Sequence, residues 1–172
     1  MRVYIALLRA VNVGGTGSLS MAELKEICEG LGFNDVKTYI QSGNVLFRSD
    51  EKEKAVEEKL DEALSKKMGK PPGVMVRSRK ELEAIAAEAP FPDAKPNFLL
   101  VYFLPEAVPR DALEKMVAPD GEEAQLAGRE IYVHYPNGSG RSKLKLPALK
   151  PGTSRNLNTV RKLAELAAEM DG

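Results

Sequence analysis

One cysteine, one histidine and no tryptophan stand among 172 residues. A lone thiol excludes any intramolecular disulfide and fits a reducing cytosol. One histidine beside one cysteine leaves too few soft ligands for a zinc-type centre, so neither a metal nor a cofactor is expected. Long apolar runs are missing as well. The opening MRVYIALLRAV has an apolar run of only six residues before Arg9. That is short for the core of a signal peptide, and nothing approaches the roughly 20 apolar residues that span a bilayer. The expected place is the cytoplasm, with no membrane partner. An excess of one charge is also lacking, since 25 basic residues face 25 acidic ones.

The zero net charge hides a segregation. From Ile131 through Ala164 there is no acidic residue, while Arg141, Lys143, Lys145, Lys150, Arg155, Arg161 and Lys162 supply seven positive charges. The remainder then carries 18 basic against 25 acidic residues, a formal −7. Residues 1–22 are acid-free too and contain Arg2 and Arg9. Such a distribution focuses a local positive potential on a protein that stays soluble. A solvated basic face beside a C-terminal helix is the plainer alternative.

The order of elements points to a fold. VYIALL at 3–8 reads as a strand buried on both faces. Ser20 followed by Glu23 has capping-box spacing, so a helix begins at Met21 and buries Leu24, Ile27, Cys28 and Leu31 before Gly32 stops it. TYIQSGNVLF at 38–47 reads as a hairpin turning at Ser42-Gly43-Asn44. A charged helix follows from about Glu51, ended by Pro71-Pro72-Gly73, and Val74-Met75-Val76 is a strand. Strand-helix-strand-strand-helix-strand is the split βαβ order. The second half repeats it with a strand at 97–104, a short helix at 110–117 and a hairpin around Gly128. A helix at 79–88 joins the halves, and a last helix runs from about Asn156 to Met170. The expected fold is α+β, two tandem ferredoxin-like (βαββαβ-type) halves with antiparallel sheets. The expected domains are 1–77 and 78–172, the second carrying the linking helix.

Several strings resemble a known family. YIALLRAVNVGG at 4–15, the Met21-x-x-Leu24 helix start, GF-x-DVKTYIQSGNVLF at 32–47 and TSRNLNTVRKLAEL at 153–166 are similar to the bacterial family called domain of unknown function 1697. The resemblance implies a small cytosolic α+β protein with two ferredoxin-like halves, and it brings no catalytic residue. Leu157 stands where the family pattern has an aromatic, which removes a stacking role there, and Val11 replaces a more usual Ile.

The site must therefore come from chemistry. Arg9, Asn12, Gly14 and Gly15 leave the end of a buried strand, where ligands of open sheets gather and glycines admit backbone N–H groups to a phosphate. Gly15-x-Gly17-x-x-Ser20 lacks the third glycine of a dinucleotide fingerprint, and no lysine completes a P-loop. Arg155, Asn156, Asn158 and Thr159 at the last helix start offer a guanidinium, two amides and a hydroxyl. Helix capping accounts for part of that set. Tyr39, Gln41 and Asn44 at the hairpin, an RNA-module echo in GREIYVHY at 128–135, and Ser142-x-x-Lys145 are weaker candidates. The expected function is binding of a phosphorylated or other anionic partner, a nucleotide, phosphate or nucleic acid, at one basic Arg/Asn/Gly site where the 9–17 and 153–159 segments converge. An enzyme using the same residues for phosphoryl or nucleotidyl chemistry, and a protein–protein module or homodimer, are the alternatives.

Overall fold

In a computed structural model of the chain, residues 1–9, 19–39, 43–69 and 73–171 are described. Strand β1 (Arg2–Leu8) is buried at every position after Arg2, as its unbroken apolar run requires. Helix α1 (Met21–Gly30) starts on the expected capping box: Ser20 Oγ accepts from the Glu23 N–H and Glu23 Oε1 accepts from the Ser20 N–H. Strands β2 (Asn34–Tyr39) and β3 (Asn44–Ser49) form the hairpin, helix α2 (Glu53–Met68) follows, and β4 (Val74–Ser78) completes a sheet of order β2-β3-β1-β4. All three neighbour pairs are antiparallel. One sheet face, with Tyr4, Ala6, Leu8, Val45 and Phe47, packs under Leu24 and Cys28 of α1 and Val56, Leu60 and Leu64 of α2. Phe33 stacks on Phe47 with ring centroids 4.3 Å apart.

Helix α3 (Arg79–Ala87) lies where a connecting helix is expected, with Leu82 and Ile85 buried. Beyond it come β5 (Leu99–Phe103), β6 (Glu123–Ala127), β7 (Glu130–His134), β8 (Thr153–Asn156) and α4 (Leu157–Asp171). Their sheet has the order β6-β7-β5-β8, again antiparallel throughout. The chain is thus α+β with two four-stranded sheets of one topology, two ferredoxin-like halves. It divides into two compact units, Met1–Glu83 with Leu163–Gly172, and Ala84–Lys162.

Two expected details change. No α-helix forms at 110–117. Instead, i→i+3 hydrogen bonds link Ala112 to Pro109, Glu114 to Asp111 and Met116 to Leu113, each at 3.1 Å. Nine residues lie between Pro109 and Pro119, and the stretch closes on the bridge of Val117 to Lys145 in place of a further helical turn. The segment 153–156, read as a helix start, is a strand: Arg155 sits opposite Val101 and Asn156 opposite Leu100. Its polar residues hide the strand pattern because the side chains turned inward, Thr153 and Arg155, are themselves polar. Around Lys143–Leu146 there is only an isolated bridge between Val117 and Lys145. No helix of the described residues is long and apolar enough to cross a membrane.

Candidate functional site

Arg9 follows β1 and is exposed. Its N–H donates to Gly73 O at 2.9 Å, and the Leu8 N–H donates to Gly43 O at 2.9 Å. A Cβ on Gly43 would stand 3.0 Å from Leu8 Cβ, and its φ of +80° disfavours other residues, so glycine is needed for this approach. The C-terminal end of β1 is thereby clasped by both neighbouring strand ends, with the Arg9 side chain left in solvent. Asn44 is fully buried and its Nδ2 donates to Tyr39 O at 3.1 Å, so it holds the hairpin. Asn12, Gly14 and Gly15 lie outside the described residues, as does Gln41.

Arg155 differs from the solvent-facing grip that a helix start suggests. It is 8 % exposed within β8, and its Nη1 donates to Thr153 Oγ1 and to Ser154 O, both at 2.8 Å. Burial pulls its pKa down to about 10, which leaves the guanidinium cationic at neutral pH. Its bonds to Thr153 and Ser154 make it a group that orders the strand end. Asn156 is the cap of α4, its Oδ1 accepting from the Thr159 N–H at 2.9 Å, while Thr159 is half-buried. Asn158 is exposed on the first turn of the helix. Of the four C-terminal candidates, it alone is fully open to solvent.

The first unit repeats this arrangement, which sequence reasoning missed. Arg77, 1 % exposed, occupies in β4 the place that Arg155 has in β8: each sits opposite a central-strand residue, Ile5 or Val101. Each donates from Nη1 to the preceding carbonyl, Val76 O at 2.9 Å and Ser154 O at 2.8 Å. Each is followed by a capping residue. Ser78 Oγ accepts from the Glu81 N–H at 3.2 Å, with Glu81 Oε1 answering at 3.1 Å. The available signal was Arg-Ser-x-x-Glu at 77–81 beside Arg-Asn-x-x-Thr at 155–159.

The acid-free stretch is the other chemical feature. Arg141, Lys143, Lys145, Lys150 and Arg161 are exposed and make no ion pair among the described residues. In the first unit, by contrast, Lys67 meets Glu23 at 2.7 Å and Arg79 meets Asp171 at 2.6 Å. From 141 to 146, exposed Arg141, Lys143 and Lys145 alternate with half-buried Ser142 and Leu144 and buried Leu146. The three cations thus stand at alternate positions of a segment that leaves a turn at Arg141 and pairs only at the Val117–Lys145 bridge.

The weaker candidates resolve individually. The Ser142 hydroxyl donates to Glu122 Oε2 and accepts from the Leu144 N–H, which commits it to the loop. With the Asp120 N–H on Oε1, that bond holds the Glu122 carboxyl below its ordinary 4.5. In GREIYVHY, Tyr132 is buried with its hydroxyl donated to Ile85 O at 2.7 Å, and Tyr135 is hydroxyl-paired with Tyr102 at 2.7 Å. No ring there is presented for base stacking. Burial pushes the Cys28 thiol up to about 12, so it is an inert core group. His134 lies against Phe91, centroids 6.0 Å apart. Among the described residues no three His, Cys, Asp or Glu side chains gather around a common metal position.

No curated protein matches the sequence. A solved structure described as the conserved bacterial protein SP0830 from Streptococcus pneumoniae is similar, with TM-score 0.81 and 24 % identity over 98 % of this chain and 99 % of that one. At that identity the likeness carries the fold. The model of the family described as protein of unknown function (DUF1697) matches residues 1–132, which include β1, Arg9 and the TYIQSGNV hairpin. The C-terminal string at 153–166 lies beyond the matched stretch. With about three quarters of its length covered by that model, the chain belongs to the DUF1697 family.

Proposed function

We propose that this family member binds a phosphate-bearing partner, a nucleic acid in preference to a single nucleotide, through the exposed cations of residues 141–161. The observation that carries the reading is that Arg141, Lys143, Lys145, Lys150 and Arg161 are exposed, free of ion pairs among the described residues, and set in a stretch without acids. A hydrated cation with no internal partner engages a phosphate without breaking a bond in the fold, and counterion release drives the association. Five such cations spread over residues 141–161 match a chain of phosphates better than one terminal phosphate. Asn158 adds an amide donor on the exposed turn of α4. Arg9, Asn12, Gly14 and Gly15 are assigned to the same ligand class, as a guanidinium, an amide and two glycines that admit a phosphate to the backbone. Arg155, Asn156 and Thr159 support the reading by ordering the strand end and helix start that carry Asn158.

Fluorescence anisotropy with a labelled single-stranded RNA oligonucleotide tests this, over a series of salt concentrations and with ATP as competitor. The logarithm of the binding constant should fall with that of salt at about −0.7 per phosphate neutralised. The triple variant Lys143→Gln, Lys145→Gln, Lys150→Gln should make the slope shallower by roughly 2. Unchanged affinity and slope in that variant would sink the reading. A flat salt response with efficient ATP competition would replace nucleic acid by a small ligand.

A further inference from the structure

Strands β2 and β6 hold the same place in the two sheets, each at an outer edge with one neighbour, β3 or β7. Only β2 is guarded against further pairing. Its register with β3 shifts between Asn34 and Lys37, Asp35 stands at φ +51°, and Val36 is buried in the core beneath α1 and α2. A bulge and charged residues are devices that keep an edge from accepting another strand. Strand β6, Glu-Ala-Gln-Leu-Ala, pairs with β7 at all five positions without a shift and holds no proline, lysine or arginine. Its Ala124 and Leu126 are only partly buried in the cluster they join.

The bonds of β7 fix which backbone groups of β6 turn outward. The Leu104 N–H donates to Arg129 O and the Tyr135 N–H to Phe98 O, both at 2.9 Å, so the odd-numbered residues of β7 face β5. Glu130, Tyr132 and His134 therefore face β6, where their partners are Ala127, Gln125 and Glu123. The N–H and C=O groups of Ala124 and Leu126 point away from the sheet and bond to nothing among the described residues. Such a row of free groups is a template for one more strand.

We propose that two copies of this chain pair through β6, antiparallel about a two-fold axis at Gln125, to make one eight-stranded sheet from their second units. In that register Ala124 lies opposite the second copy's Leu126, and Leu126 opposite its Ala124. Every outward N–H then meets an outward C=O, and four hydrogen bonds form. Centring the pair on Ala124 or on Leu126 would instead set the other residue opposite position 122 or 128, outside the strand. Charge allows the match as well. Glu123 lies opposite Ala127 of the other copy, and the two Glu123 residues stand roughly 13 Å apart along the strands, beyond the ~8 Å screening length at physiological salt. The half-buried Ala124 and Leu126 of each copy adjoin those of the other, which continues the apolar cluster across the axis. The self-match selects a second copy: all the free edge groups are used and no acid meets an acid. The pairing needs no phosphate, so it stands apart from the nucleic-acid reading.

Sedimentation equilibrium of the full chain without nucleic acid, over a wide range of protein concentration, should show a monomer–dimer equilibrium. Amide hydrogen exchange read by NMR locates the contact. In a sample nine-tenths dimeric, the Ala124 and Leu126 N–H groups should exchange about tenfold more slowly than in the monomer, because exchange proceeds through the remaining monomer. The Gln125 and Ala127 N–H groups, bonded to β7 in both states, should not change. Gln125 is exposed and meets its own copy at the axis, so Gln125→Lys or Gln125→Glu alone should weaken the dimer about fivefold through like charges placed opposite each other. An equimolar mixture of the two variants should associate again. The proposal is overturned by a monomer at every concentration, by a dimer in which Ala124 and Leu126 exchange as before, or by Gln125→Lys associating as tightly as the unmodified chain. Exchange on the unmodified chain decides the matter even where a variant does not fold.

Discussion

At the residue scale, several of the described polar groups that looked like ligand contacts are bonded within the fold itself. Arg155 is bonded to Thr153 and Ser154, Asn156 to the first turn of α4, and Asn44 to Tyr39. A buried polar group without a partner is costly, so a fold that turns such groups inward also satisfies them. Glu122 gives the clearest titration. Its carboxyl is held below 4.5, first by the Ser142 hydroxyl. A depressed folded pKa contributes stability that is present above the ordinary value and is lost as pH falls through the depressed one. Ser142→Ala should raise the Glu122 pKa toward 4.5 and flatten the loss of stability in acid. Carboxyl-carbon NMR titration together with urea midpoints across the acid range checks both effects. A Glu122 titration unaltered in the variant would contradict the assignment.

At the element scale, each half ends an inner-paired edge strand with a buried arginine, then a cap, then a helix. The cap fixes where the strand stops and the helix begins. Asn156→Ala should cost about 1 kcal/mol and Asn156→Asp much less, because the carboxylate still accepts from the Thr159 N–H. Denaturant unfolding of the two variants measures the difference. Gly152 imposes a stricter limit just before β8. A Cβ there would lie 2.5 Å from Leu104 Cδ2 and 2.7 Å from Phe103 O, so β8 could not close on β5 in its present path. Gly152→Ala should therefore be more damaging than the loss of the cap. Of these elements, α1 was legible residue by residue because its capping box and apolar spacing are local signals. Strand β8 was not, since its partner β5 lies some fifty residues away and its inward side chains are polar.

At the scale of the whole molecule, a neutral chain is divided into an ion-paired acidic-rich part and a basic stretch in which Arg141, Lys143, Lys145, Lys150 and Arg161 are exposed and Arg155 is buried. Charges without partners stabilise nothing in the fold. Lys143→Gln, Lys145→Gln, Lys150→Gln should accordingly change unfolding free energy by no more than about 0.5 kcal/mol, while altering salt-dependent binding. Circular dichroism melts beside the anisotropy titration separate the two quantities. A large loss of stability would mean that these side chains serve the fold. The two halves also diverge: helices cover one face of the first sheet, and turns, extended chain and a 3-10 turn cover the matching face of the second.

The sequence by itself determined the element order in the first half, both hairpins, the last helix and the segregation of charge. These depend on apolar periodicity, caps and glycine turns, which act over a few neighbouring residues. Tertiary structure decided the rest: that 153–156 is the fourth strand, that Arg77 and Arg155 are buried equivalents, and that 109–116 turns without becoming an α-helix. The first two outcomes are set by pairing or burial between residues far apart in the chain. A polar tetrapeptide becomes a strand when a neighbouring strand supplies its hydrogen bonds, and an arginine becomes structural when the fold around it meets its donors.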